Sequence, residues 1–183
     1  MPTMEAVLIG VGVVILVLII VRATRRKRAA VDNTAVMRDL RERALTGGAD
    51  EVGIAPEPGK PWAVMMETGY PGAVVSLVAF ADGSTSLYFS SGGGVLGGGE
   101  HASVNEASRA FVAKAADDVQ HVESTSDHPL PPEGMTRFYF RIDDGLRTAE
   151  APENELGEGR HPLSALFHAG QEVLTQLRLI SGG

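Results

Sequence analysis

Residues Ala6–Val21 form an apolar run, with thirteen Val, Leu or Ile among sixteen positions. It is closed abruptly by Arg22, Arg25, Arg26, Lys27 and Arg28. On a translocon scale of about −0.3 to −0.6 kcal/mol per such residue, the run favours insertion by at most about 4 to 8 kcal/mol. At about 1.5 Å per residue a helix over this run spans about 24 Å, so flanking residues or local thinning must complete a hydrocarbon core of about 30 Å. The pattern predicts a single transmembrane helix with a basic stop-transfer cluster. A cleaved secretory signal fits poorly, because Met1–Glu5 holds no Lys or Arg and no small-x-small cleavage site follows the run before the basic cluster. Five cations after the helix and none before it predict an external N-terminus and a cytoplasmic C-terminal domain.

Downstream the periodicity changes. From Ala35 to Leu45, Met37, Leu40 and Ala44 share one helical face, Asp39 and Arg43 are an i,i+4 pair, and Gly47-Gly48 gives a stop. Three turns suit a stalk helix packed on its own domain better than a coiled coil or a membrane-surface dimerisation helix. The Gly, Pro and acid-rich stretch that follows, to Pro61, reads as a linker.

Strand-like runs cover Trp62–Thr68, Ala73–Phe80 and Thr85–Ser90, the last two joined through Asp82-Gly83, which predicts a type I′ turn. A helical stripe of Val104, Ala107, Phe111, Ala115, Val119 and Val122 opens on a Ser103/Glu106 capping box. A second hairpin alternates Phe138, Phe140 and Ile142 with Arg137, Tyr139 and Arg141, turns at Asp144-Gly145 and returns to Ala151. The last helix starts at Pro162 and lines Leu163, Leu166, Phe167, Val173, Leu174, Leu177 and Ile180 along one side. Two hairpin-then-helix units thus make a weak pattern repeat.

These elements predict an α+β chain: an N-terminal transmembrane helix, then a two-layer sandwich. About five strands in the order β-β-β-α-β-β-α form a mainly antiparallel sheet with its helices on one face. The opposite sheet face, with Ser86, Tyr88, Arg137, Tyr139 and Arg141, would be solvated or used for binding. The expected division is 1–31 anchor, 32–61 stalk helix and linker, and 62–183 soluble domain.

Charge narrows the partners. From Asp32 onward there are 22 acidic and 11 basic residues, eleven net negative charges, which argues against nucleic acid and anionic lipid surfaces as ligands of the domain. The absence of cysteine removes disulfides, thiolate catalysis and cysteine-ligated metals. His121, His128, His161 and His168 show no ligand spacing, no nucleophile elbow occurs, and no cofactor is implied.

The most unusual stretch of the soluble part is Gly92, Gly93, Gly94, Val95, Leu96, Gly97, Gly98 and Gly99, followed by Glu100 and His101 at a helix start. A glycine loop entering a helix can cradle an anion. Yet the P-loop Lys and Ser/Thr are missing, and Glu100 brings negative charge to the place where phosphate would lie. The sequence therefore favours a non-enzymatic, membrane-anchored module for protein interaction, scaffolding or self-association. The alternative is a small-anion or nucleotide-responsive domain, or a catalytic one, using Gly92–His101.

Overall fold

The structure, a computed structural model, describes residues 33–181. The expected anchor and its basic cluster lie outside these residues. Among the described residues no helix is long and apolar enough to cross a membrane.

The chain is α+β. Helix α1 (33–46) leads through an irregular segment to strands β1 (Ala63–Tyr70), β2 (Ala73–Phe80), β3 (Thr85–Phe89) and β4 (Gly94–Val95). Helix α2 (Ala102–Asp117) follows, then β5 (Glu123–Ser124), β6 (Met135–Ile142), β7 (Gly145–Pro152), the short α3 (Glu153–Gly157) and α4 (Ser164–Ser181). All seven strands join one antiparallel sheet in the order β4-β3-β2-β1-β6-β7-β5. The two strands beyond the predicted five are the two-residue edges β4 and β5. A two-residue ladder leaves no periodicity in sequence, and such short edges offer little template for further pairing.

Strand alternation divides the core. Val64, Met66, Leu77, Phe138 and Phe140 point to one face, where α2 and α4 supply Val104, Phe111, Leu166, Val173 and Leu177. Met65, Val78, Tyr88 and Tyr139 point to the other, and there the expectation of helices on one face only is corrected. Helix α1 lies across it, contributing Leu45 with Met37, Leu40 and Ala44. Helices therefore flank the sheet on both faces, giving three layers instead of two. The physical reason is that the central strands are apolar on both sides: β1 is buried along seven of its eight residues, and a strand of that kind needs cover above and below.

Two local expectations also change. No non-glycine residue among the described residues has positive φ, so Asp82-Gly83 does not make a type I′ turn. Gly83 donates to the Phe80 carbonyl at 2.9 Å, Phe80 donates to the Ser84 carbonyl at 2.9 Å, and Gly83 alone turns left-handed at φ 89°. This is a three-residue loop ending in a glycine bulge. Helix α2 begins one residue before Ser103, with His101 as its N-cap and no side-chain capping bond. In place of the predicted box, Asn105 donates to the carbonyls of Asp82 and Gly99, each at 3.2 Å, tying the helix start to the hairpin.

Candidate functional site

The glycines of the Gly92–Gly99 segment are taken up by the fold. Gly94 and Val95 pair with Tyr88 and Leu87 as the edge strand. Gly93 sits at φ 91° and accepts the Phe89 N–H at 3.1 Å, closing the β3–β4 turn. Gly98 is buried, and a Cβ placed there would collide with Leu177 of α4. Gly92 and Gly97 are likewise left-handed, whereas a Cβ on Gly99 would strike the backbone of Gly83 and Ser84. His101 is exposed at the helix start, and Leu96 is exposed beside the edge strand. The local need for glycine is thus set by positive φ at Gly92, Gly93 and Gly97 and by close protein contacts at Gly94, Gly98 and Gly99.

A different site lies on the α1 side of the sheet. Glu67 stands in the middle of the central strand with no solvent exposure. A carboxylate so placed requires a cation, and α1 delivers it: Arg41 Nε and Nη2 donate to the two carboxylate oxygens, each at 2.7 Å. The Ser76 hydroxyl donates to the same carboxylate, and Arg41 Nη2 also donates to the His128 carbonyl at 2.9 Å. The guanidinium lies 5.9 Å from the centre of the Tyr139 ring. Burial draws the Arg41 pKa down, but the bonded Glu67 carboxylate outweighs it and holds the guanidinium above its ordinary value. Burial pushes the phenols of Tyr139 and Tyr88 up, with Arg137 partly opposing this at Tyr139. The Tyr139 hydroxyl donates to the Pro129 carbonyl at 2.6 Å, and Arg137 Nη1 reaches the same oxygen at 2.9 Å. The 128–130 loop is thereby fastened beside α1.

Helix α1 is held at its other end by Arg141. This side chain donates to the carbonyls of Ala44 and Gly47 and stacks over Trp62, 4.8 Å from the ring centre. A cation at the C-terminal carbonyls of a helix satisfies groups that have no partner within it.

Between the N-terminal half of α1, the β2–β3 pair and the 128–130 loop lies a half-open groove of about 430 Å³, predominantly apolar. Met37, Tyr88 and Leu130 form its apolar wall, with Arg38, Arg41, Ser90 and His128 among its polar members. Arg38 is exposed and makes no ion pair among the described residues. Ser90 Oγ accepts the Val74 N–H at 2.8 Å, leaving its hydroxyl proton to donate. Glu42 Oε1 lies 3.6 Å from His128 Nε2. Sequence reasoning placed Tyr88 on this face but missed Arg38, Arg41, His128 and Leu130. The available signal was Glu67, a charge inside an otherwise buried strand.

The other histidines serve elsewhere. His161 Nδ1 accepts the Leu163 N–H at 3.2 Å near the start of α4, and His168 packs edge-on against Phe167. Among the described residues no group of three or more His, Asp or Glu is arranged to hold a metal ion.

The class that fold and site define is an antiparallel α+β domain whose N-terminal helix is keyed onto the sheet and walls a groove. Comparison with protein-family models, curated proteins and solved structures finds no match for this chain.

Proposed function

We propose that this protein is a single-pass, membrane-anchored, non-enzymatic interaction module. Its domain lies on the cytoplasmic side and recognises a protein partner through the groove beside α1. The observation that carries this reading is that α1, the described helix nearest in sequence to the apolar run, also walls a predominantly apolar groove with a few converging polar groups. Residues 6–21 and the basic cluster Arg22–Arg28 support the anchor by hydropathy and charge alone.

The test places a photo-crosslinking side chain at Leu130, on the groove, or at Leu96, on the glycine segment, in the full chain in native membranes. A specific protein adduct from position 130, absent from position 96 and lost when Ser90→Trp fills the groove, is expected. An adduct from position 96 alone would move recognition to the glycine segment and overturn the assignment to the groove.

A further inference from the structure

Within the reading that the groove is the recognition site, we infer that it takes the C-terminal end of a partner polypeptide: an apolar last side chain bearing a free carboxylate. Three observations point there. The domain from Asp32 onward carries eleven net negative charges, yet the groove presents the guanidinium of Arg38 next to that of Arg41, whose charge Glu67 already balances, with Glu42 as the carboxylate in its lining. Arg41 spends Nε and Nη2 on protein acceptors, which leaves Arg38, exposed and without an ion pair or hydrogen bond among the described residues, as the guanidinium open to a ligand. The Ser90 hydroxyl adds a neutral donor.

An acidic stretch or an anionic membrane surface would bring many charges against the domain's own field and be repelled. One carboxylate joined to an apolar group meets only the local donors, and a charge-assisted pair with a guanidinium is strong and directional. The shape narrows the occupant further. A fatty acid gains most from an enclosed cavity that buries its whole tail, whereas this groove is half-open. A chain end needs to bury one or two side chains and then leave.

The experiment uses the full chain in nanodiscs of zwitterionic phosphatidylcholine. Its probes are fluorescein-labelled hexapeptides Gly-Ser-Gly-Ser-Ser-X, with X as Val, Leu, Met or Phe, each as free acid and as amide. Fluorescence polarisation should show at least one free acid binding about tenfold or more tighter than its amide, the factor expected for one charge-assisted hydrogen bond. Arg38→Gln, at an exposed position, should reduce that preference to about twofold or less. The same variant should keep the Trp62 emission of the parent. Equal binding of acid and amide, or retention of the preference in Arg38→Gln, overturns the inference. So does dodecanoate binding where no peptide binds, which would make the groove a lipid site. If no peptide binds while the Leu130 adduct persists, the chain-end inference fails and groove recognition stands; if both are absent, the groove reading fails with it.

Discussion

Removing the cation from the buried pair should be among the costliest single changes in the domain. Glu67 is fully buried and the Arg41 side chain is 15% exposed, so Arg41→Met leaves a carboxylate in the sheet with only the Ser76 hydroxyl as a named donor. Breaking a buried pair from one side costs about 3–5 kcal/mol, and the surviving Ser76 bond places this case near about 3 kcal/mol. Glu67→Leu alone strands the guanidinium, but less severely, since Arg41 keeps the His128 carbonyl and a partly wetted path to solvent. The double variant Arg41→Met/Glu67→Leu removes both charges from an apolar setting and should lie within about 1 kcal/mol of the parent or exceed it, because hydrophobic replacement of a buried pair is often neutral or stabilising. The assay is urea unfolding of the full chain in detergent micelles. The reporter is the only tryptophan, Trp62, which is buried, stacks with Phe80 at 6.3 Å and lies under Arg141. A cost below about 1 kcal/mol for Arg41→Met would refute the reasoning, since that is the range of an exposed pair.

Gly98→Ala should destabilise by about 1–3 kcal/mol through overpacking against Leu177, and Leu177→Ala in the same chain should return part of that loss in the same unfolding assay. Burial, with the Glu153 carboxylate accepting its hydroxyl at 2.9 Å, pushes the Tyr70 phenol up to about 12. The folded state therefore holds this proton more tightly than the unfolded chain, whose phenol titrates near about 10; the contribution is whole below about pH 10 and is lost as pH rises toward 12. Tyr70→Phe should flatten the fall in stability across that window and remove one late step from an absorbance titration of tyrosinate; an unchanged slope would count against the shift. The anchor reading predicts that the full chain stays with membranes through alkaline carbonate extraction and that deletion of residues 6–21 releases it; release of the full chain by carbonate would discard the anchor.

Elements with strong local periodicity were legible in the sequence. The alternation of Phe138, Phe140 and Ile142, the stripe through Phe111 and Ala115, and the apolar side of the last helix correspond to β6, α2 and α4. Turn chemistry was read in position but not in type, because Asp-Gly suits both a type I′ turn and a loop closed by a left-handed glycine; only the bonds around Phe80 separate them. The glycine segment drew attention for a sound reason, since glycine marks either close approach or positive φ. Sequence cannot say whether the approaching group is a ligand or Leu177, which lies nearly eighty positions further along the chain.

The groove was hidden for a related reason, and the contacts that build it explain why α1 docks in one place. Its apolar stripe is modest: Leu45 is fully buried, while Met37, Leu40 and Ala44 are only half so. Such a stripe could slide by a turn over Met65, Val78 and Tyr88 with little change in buried area, since apolar contact is non-directional. The polar contacts are not tolerant in that way. The fork from Arg41 to Glu67 fixes the helix laterally over β1, and Arg141 fixes its end through the carbonyls of Ala44 and Gly47. Sequence separations of 26 for the first and more than 90 for the second leave neither pairing any local signature. Two guanidiniums, one on the helix and one on the sheet, thus set a register that the hydrophobic pattern leaves open. The groove exists because that register holds the N-terminal half of α1 beside the 128–130 loop, where Met37 and Leu130 share its wall.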